Sequence, residues 1–178
     1  HQAPGVGAVA AGVPAQRPRA GELGVHLHGA PQVLALLARG GVIQNFGDSP
    51  DVPYYSKYYL GGPTTLRGYE FRDVAPRDTF NEPIGGKTYG FFSAEYTIKA
   101  ADNLRFAAFY DYGIVNRSET DFSVSEANSD YGLGLRILLG GAVMRLDFGF
   151  PLQTTKAPGG ADINDGGMKF NFSFGTVF

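Results

Sequence analysis

Two acidic side chains, Glu95 and Asp111, form the most suggestive chemical grouping in this chain. Glu95 falls on the polar face of a predicted strand over residues 87–99, and Asp111 on that of the next, over residues 104–115. Two carboxylates that meet could act as the acid and base of a glycosidase or a protease. The sequence shows no difference in environment between the two acids and no substrate cleft. We therefore interpret them as partners of a cation, and predict no catalytic residue and no enzyme activity.

The expected cation is Arg67, which precedes both strands on a long connecting segment. Both polar faces carry odd-numbered residues, so the two strands pair in register only through a turn of odd length. Glu95 then lies opposite Phe109 and Asp111 opposite Ser93, which makes the two carboxylates diagonal neighbours, roughly 7–8 Å apart between backbones. A guanidinium has donors arranged in a planar fork and can bind both of them.

Other groupings with the spacing of metal ligands are weak. His26 and His28 are separated by one residue, but no third or fourth ligand accompanies them. The acidic residues at 162–165 lack the spacing and the terminal glutamate of an EF-hand. The chain has no cysteine, which excludes disulfides and thiolate ligands. The sequence therefore predicts neither a metal nor a cofactor.

Both acids belong to predicted strands in which apolar and polar residues alternate. Such strands are predicted at 32–46, 87–99, 104–115, 131–139, 142–153 and 168–178. One face of the last strand carries Met168, Phe170, Phe172, Phe174, Thr176 and Phe178. Long connections alternate with short turns, as in outer-membrane barrels, and strands of about 9–11 residues can cross the hydrocarbon when tilted. A water-soluble sandwich would alternate too, but rows of outward aromatic rings suit lipid better. We predict an all-β fold, a transmembrane antiparallel β-barrel whose polar faces line the lumen.

Composition and charge exclude several other classes of protein. The sequence has no run of about 18 apolar residues, which a membrane-spanning helix would need. The net charge of −2 and the pI of about 5.9 give no basic surface for nucleic acid. A mean hydropathy of −0.12 is compatible with a barrel, because only alternate residues of each strand face lipid.

Residues 1–31 differ from the rest of the chain. They are rich in Ala, Gly and Pro, and no aromatic residue precedes Phe46. Their spaced prolines would interrupt a regular element. We predict an irregular lead-in over residues 1–31 and a barrel portion over 32–178, with a long loop at 47–86. A further hypothesis is that the lead-in was translated in the wrong reading frame and is not native to the fold.

A second predicted hairpin, with Gly140 and Gly141 at its turn, places Arg136 opposite Arg145 on the polar face. Asp147 lies diagonal to Arg136 and would offset the repulsion between the two arginines. We interpret this group as electrostatics of the lumen rather than as a binding site.

The long segment resembles the signature loop of the BamA superfamily. In that loop a Gly-Gly pair precedes an Arg-Gly-Phe/Tyr tripeptide, here Gly61-Gly62 and Arg67-Gly68-Tyr69. Further similarity lies at 73–78, 134–136, 145–152 and in the aromatic closing strand at 172–178, so that the resemblance covers about residues 42–178. Each motif alone is weak, but together and in this order they are specific.

The resemblance implies an outer-membrane barrel of about sixteen strands, of which this chain supplies about the last six. It implies that the signature loop enters the lumen, where its arginine contacts an acid of the following strand and an Asp-x-Gly of the next. These match Glu95, Asp111 and Gly113. It also implies a role in assembling other proteins, through a lateral seam that has the strand of Phe170, Phe172, Phe174 and Phe178 on one side.

The partners implied by the resemblance are outer-membrane lipids, unfolded outer-membrane protein clients, periplasmic accessory proteins and upstream POTRA modules. Alternatives within the superfamily are a TamA-like assembly factor, a two-partner secretion translocator and the barrel of a fused lipase-like protein. A passive outer-membrane channel is the alternative from a different class. It predicts an open lumen without an in-folded Arg-Gly-Tyr loop.

Overall fold

The computed structural model describes residues 17–29, 31–44, 52–153 and 166–176. Within these residues seven antiparallel strands form one sheet in which each strand pairs with the next along the chain, and the all-β prediction is confirmed. A 3₁₀ turn, Tyr54–Ser56, lies between the second and third strands. No helix in the described part is long and apolar enough to cross a membrane. The strands are β1 (Arg17–Gly29), β2 (Gln32–Gln44), β3 (Thr88–Ala101), β4 (Leu104–Asn116), β5 (Asn128–Leu139), β6 (Ala142–Pro151) and β7 (Lys169–Thr176).

Strand β1 corrects the prediction of an irregular lead-in and of six strands. Residues 1–16 lie outside the described residues, but residues 17–29 pair with β2 along their whole length. Leu23, Val25 and Leu27 are exposed on one face of β1, an alternation that the absence of aromatic residues concealed. The pairing also argues against a wrong reading frame for residues 17–29, because it continues the ladder of the sheet.

The two faces of the sheet have opposite character. Large apolar side chains of one face are exposed: Phe170, Phe172 and Phe174 of β7 retain 56, 56 and 62% of their accessible surface. On the other face polar side chains are buried, among them Asp111, Asp130 and Arg136. A water-soluble sandwich would bury its rings, whereas a membrane barrel presents them to acyl chains. Phe178 lies outside the described residues.

The hairpin of β3 and β4 has the register that the positions of its acids predicted. Ser93 pairs with Asp111 and Glu95 with Phe109, and the ladder shifts by one residue near the turn, after Lys99. The extra residue at this shift gives the turn region an odd length, which keeps the odd-numbered residues of both strands on the polar face. The register of the next hairpin is confirmed as well, since Arg136 pairs with Arg145.

The segment before β3 folds back against the polar face of the sheet. A short bridge pairs Leu60 with Val74, and another pairs Tyr58 with Gly86 at the entry to β3. Leu60 and Leu66 are fully buried in a cluster completed by Phe91, Val115 and two further loop residues, Tyr69 and Val74. The apolar core of the described chain thus lies between this loop and the strands, and it fixes the residues that follow Leu66.

Candidate functional site

A tight turn presents Arg67 to the sheet. Gly61 and Gly62 have φ angles of 110° and 94°, which L side chains rarely adopt. A Cβ on Gly61 would also lie 2.1 Å from the carbonyl oxygen of Glu70. The amide of Gly62 donates to the carbonyl of Leu66 at 3.0 Å and to that of Tyr69 at 3.1 Å. The Gly-Gly pair of the signature is therefore required by the backbone of the loop.

Asp111 receives the strongest contact of Arg67. The guanidinium binds it in bidentate fashion, with Nε donating to Oδ2 at 2.7 Å and Nη2 to Oδ1 at 2.9 Å. The hydroxyl of Ser93 donates to Oδ1 at 2.5 Å. Asp111 has no exposed surface, so its charge is satisfied by these donors instead of water.

Glu95 joins Arg67 to a second arginine. Arg67 Nη1 donates to Glu95 Oε2 at 2.6 Å, and Arg136 donates to the same carboxylate through Nη2 at 2.7 Å and Nε at 3.1 Å. Arg136 Nη1 also donates to Asp147 Oδ1 at 2.6 Å. The five side chains form an alternating series across β3 to β6, here called the charge network: Asp111, Arg67, Glu95, Arg136 and Asp147. Arg145, which faces Arg136 in the register, is exposed, so the expected repulsion between them is minor.

The ring of Phe109 lies beneath the guanidinium, with its centroid 3.5 Å from Arg67 Cζ. A cation over an aromatic face is favourable, and more so when both are removed from water. The ring fits because Gly132 lacks a side chain: a Cβ there would lie 2.3 Å from Phe109 Cζ. Sequence reasoning assigned Phe109 no role, although an aromatic residue among odd-numbered polar positions was an available signal.

Burial and the acidic partners of Arg67 shift its pKa in opposite directions. Removal from water by itself lowers the pKa of the guanidinium, but the hydrogen bond and the charge of Asp111, together with Glu95, raise it by more. The net effect is a pKa above the ordinary value for arginine. Arg67 is therefore permanently charged, and the network cannot relax by releasing its proton.

Gly68 and Tyr69 seat the loop against β5 and β6. A Cβ on Gly68 would lie 2.6 Å from Asp130 Cβ and 2.9 Å from the nitrogen of Pro151, so no side chain fits there. The buried hydroxyl of Tyr69 donates to the carbonyls of Gln153 and Ser129, at 2.9 and 3.2 Å. Burial raises its pKa to about 12. The tripeptide thus combines a charge, a close approach and a hydrogen-bonded ring.

Gly113 has a different place from the one the Asp-x-Gly pattern suggested. It takes no part in the charge network. A Cβ at this position would lie 2.5 Å from Leu60 Cδ1 and 3.3 Å from Leu66 Cδ1. Gly113 therefore provides space for the apolar side chains of the loop to pack on β4.

Strand β7 contacts the loop through residues that sequence reasoning missed. The amide of Asn171 donates from Nδ2 to the carbonyl oxygen of Arg67 at 2.7 Å, and Lys169 Nζ lies 3.1 Å from Glu70 Oε1. Both residues occupy the polar face that alternates with the exposed rings of Phe170 and Phe172. Their odd numbering was the only signal in the sequence for these two residues. The acceptor of Asn171 is a backbone carbonyl, which every residue has, so the sequence could not identify it.

Asp130 is a buried acid that sequence reasoning also missed. It lies directly opposite Asp111 in the register of β4 and β5 and has no exposed surface. Within the described part of the chain, neither of its carboxylate oxygens has a partner with hydrogen-bond geometry. A buried carboxyl without such a partner, beside a second carboxyl, is destabilising whether it stays charged or takes up a proton. Asp130 therefore opposes the stability that the charge network provides.

Asp130→Asn is expected to raise the free energy of unfolding by about 1–3 kcal/mol, because the amide keeps the shape, never ionises and can donate to the carboxylate of Asp111 opposite it. The matched variant Asp111→Asn is expected to lower it by about 3–5 kcal/mol, because that carboxylate holds Arg67. The measurement is the thermal unfolding of each variant in detergent micelles. Shifts in the same direction for both variants would contradict the distinction between the two acids.

No group of three or more potential metal ligands occurs among the described residues. His26 lies within β1, the side chain of His28 is not among those described, and the acidic residues at 162–165 lie outside the described residues.

A polar cavity of about 330 Å³ lies beside the loop, between Pro76 and Glu126. Its lining combines Arg77 and Arg117 with acidic and hydroxyl side chains, which selects no ligand class.

The described fold and sequence are similar to those of known proteins. The Omp85 superfamily domain matches residues 20–178. The chain is 33% identical over 144 residues to the outer membrane protein assembly factor BamA of Nitratidesulfovibrio vulgaris, a match that covers 79% of this chain and 17% of that protein. It is 30% identical over 128 residues to the SAM50-like protein CG7639 of Drosophila melanogaster, covering 67% and 28% respectively.

A third relative is the outer membrane protein assembly factor BamA of Neisseria meningitidis serogroup B, with 29% identity over 171 residues, 78% of this chain and 21% of that protein. The crystal structure of BamA from Haemophilus ducreyi lacking POTRA domains 1–3 has the same fold, with a TM-score of 0.66 and 18% identity over 91% of this chain and 35% of that one. The chain spans less than a third of the length of the curated relatives it matches.

Proposed function

The chain belongs to the Omp85 superfamily, and from that premise we propose that it supplies the lumen loop and one side of the lateral seam of an outer-membrane factor that assembles other β-barrel proteins. Its location in the outer membrane and its partial antiparallel barrel fold follow from the same membership. Three relatives or structural neighbours are named as BamA, and two of these names state assembly of outer membrane proteins. The role proposed for this chain is not enzymatic.

The observation that carries this proposal is the position of the Arg-Gly-Tyr loop. Leu66, Arg67 and Tyr69 are 0, 6 and 1% exposed against the polar face of the strands. A passive channel needs an open, water-filled lumen, whereas a loop fixed there by a buried guanidinium obstructs it. The in-folded loop therefore favours an assembly factor over a solute channel.

Strand β7 is the side of the seam that this chain would provide. Within the described residues β7 pairs only with β6, so its other edge presents unpaired amide and carbonyl groups. An extended client segment can add to such an edge by β-augmentation. The rings of Phe170, Phe172 and Phe174 face outward beside this edge, where an inserted client strand would meet lipid.

Under this proposal the remaining partners belong to parts of the system outside the described chain. Unfolded outer-membrane proteins would be the clients, and POTRA modules with periplasmic accessory proteins would deliver them. A TamA-like factor or a two-partner secretion translocator of the same superfamily is the second candidate, favoured by the same loop. The product distinguishes them: a two-partner secretion translocator releases a soluble protein across the membrane, while an assembly factor, whether BamA-like or TamA-like, leaves a folded barrel in it.

Cysteine cross-linking tests the seam, since this chain contains no cysteine and any cysteine elsewhere in the gene product is first replaced by serine. In the gene product that contains this chain, Phe172→Cys on β7 is expected to form a disulfide with a client that carries one cysteine in its final strand. The matched control is Leu133→Cys on β5, which is equally outward but has a partner strand on both sides. We expect at least a tenfold excess of cross-linked product at β7.

Equal cross-linking at Phe172 and Leu133 would contradict the seam. A companion assay separates the candidate functions by reconstituting the protein into liposomes and adding, in parallel samples, an unfolded barrel client or an unfolded secreted protein. Accumulation of a protease-resistant folded client supports assembly. Appearance of a soluble substrate inside the vesicles supports translocation, and a large steady conductance without either product supports a channel.

A further inference from the structure

Asn171 connects the edge strand to the loop by a route that is independent of the sheet. Its side-chain amide donates from Nδ2 to the carbonyl oxygen of Arg67 at 2.7 Å, although the two residues are 104 positions apart. Every other link of β7 to the described strands passes through the ladder with β6. The hydrogen bond of Asn171 therefore ties the edge strand to the lumen loop directly.

The acceptor of this hydrogen bond is held rigidly. The guanidinium of Arg67 is fixed by Asp111 on β4 and Glu95 on β3. Its main chain lies against β6, where a Cβ on Gly149 would be only 2.5 Å from the Arg67 carbonyl oxygen. One residue thus contacts β3 and β4 through its side chain and β6 and β7 through its backbone. A movement of β7 must either break the hydrogen bond or displace a fully paired arginine.

A second contact of β7 with the loop is weaker. Lys169 Nζ lies 3.1 Å from Glu70 Oε1, but Glu70 is 72% exposed, and ion pairs at exposed positions contribute little. Lys169 and Asn171 lie two residues apart on the same face, in the first half of β7. The loop therefore holds this half of the strand, and the less exposed contact, that of Asn171, dominates.

We propose that Asn171 is a positioning residue that latches the first half of β7 to the lumen loop and so sets the resting state of the seam. This inference rests on the proposed function, in which β7 forms one side of that seam. Opening breaks the hydrogen bond from Asn171 to Arg67, and closing restores it. The loop then acts as a brace that stabilises the closed edge strand, and the charge network holds the brace in place.

Distance measurements between spin labels test the latch, because this chain has no cysteine and any cysteine elsewhere in the gene product is first replaced by serine. Labels at Tyr96 and Phe172 report β3 to β7, while labels at Leu27 and Leu133 report β1 to β5 as a control. All four positions are exposed, and each pair spans four strand spacings, roughly 19 Å. The full gene product in lipid nanodiscs is compared with its Asn171→Leu variant, which keeps the size and loses the donor.

We expect Asn171→Leu to raise the population of long Tyr96–Phe172 distances roughly fivefold, the ratio that the loss of one neutral hydrogen bond produces. The Leu27–Leu133 distances should stay unchanged. Asn171→Gln, which keeps the amide donor, should restore most of the closed population. Ser173→Ala, on the same face two residues along, should leave both distributions as they are. If the leucine variant fails to fold, Asn171→Ala, which has no amide donor and adds no charge opposite Asp147, gives the result.

Identical Tyr96–Phe172 distributions in the wild type and in Asn171→Leu or Asn171→Ala would overturn the latch. So would an equal shift of the Leu27–Leu133 control, because this would indicate general loosening of the sheet. Client assembly in liposomes is measured in the same samples. A wild type that assembles no client removes the proposed function but leaves the distance result to decide the latch. If the wild type assembles its client and the Tyr96–Phe172 distances do not change in the variants, only the latch is refuted.

Discussion

Arg67→Ala is expected to abolish client assembly, reducing the yield of folded client more than tenfold, and to lower the free energy of unfolding by about 3–5 kcal/mol. The variant leaves the buried carboxylates of Asp111 and Glu95 without the guanidinium that they share. In cells the expected results are lower levels of outer-membrane proteins and increased sensitivity to detergents. Thermal unfolding and the liposome assembly assay measure the two effects separately.

The matched control for Arg67→Ala is Arg145→Ala, which removes the same charge from an exposed position of the polar face. It is expected to change stability by less than about 0.5 kcal/mol. Arg67→Lys keeps the charge but loses the fork that binds Asp111 at two atoms, so it should restore only part of the activity. In a double variant, Asp111→Asn should recover part of the stability lost in Arg67→Ala, because it removes the charge left unpaired. Normal assembly by Arg67→Ala would refute the bracing role of the loop.

Gly149→Val is expected to expel the loop from the polar face and to reduce client assembly by at least tenfold. A Cβ at Gly149 would lie 2.5 Å from the carbonyl oxygen of Arg67 and 2.7 Å from the nitrogen of Gly68. Both are backbone atoms of a segment fixed by the charge network, so they cannot turn aside as a flexible side chain would. Limited proteolysis measures the release of the loop as faster cleavage within residues 52–86.

A glycine with open surroundings is the control for Gly149. Gly24 lies on the polar face of β1, and a Cβ there would meet only ordinary contacts, at 3.9 Å from the carbonyl of Leu36 and 4.0 Å from Leu37 Cδ1. Gly24→Ala should leave cleavage and assembly unchanged. Slow cleavage and full activity in Gly149→Val would show that the loop position does not depend on close approach to β6.

The side chains of Glu95 and Asp111 could be brought together from sequence because strand geometry is periodic, whereas the entry of Arg67 into the lumen was implied by the resemblance of its loop to a family signature. Side chains alternate across a strand, so odd numbering placed both acids on one face, and the register followed from the parity of the turn. The aromatic rows of β4, β6 and β7 gave the lipid-facing side by the same reasoning. Such inferences need only the period of a strand and the sign of a charge.

Other features were not accessible in this way. Strand β1 has aliphatic residues among glycines and alanines, a composition that is also found in irregular segments, and only its pairing with β2 identifies it. The role of Arg136 depends on which of two opposed arginines is buried, and this is decided by the approach of Glu95 from two strands away. Asn171 binds a backbone carbonyl, and every residue of the loop has one. Each of these three features depends on which residues are neighbours in the folded chain, and this proximity follows no period in the sequence.

The position of Arg67 in the chain has a consequence for the order of folding. The loop precedes the strands that hold the hydrogen-bond partners of Arg67. These partners lie further along the chain: Glu95 by 28 residues, Asp111 by 44 and Asn171 by 104. Contacts between residues so far apart form slowly, because the chain entropy must be lost before they can form. We expect the guanidinium to bind Glu95 first and Asp111 next, while the carbonyl oxygen of Arg67 accepts its hydrogen bond from Asn171 only after β7 has paired with β6. A barrel that stalls earlier would retain a loosely held loop that proteases can recognise.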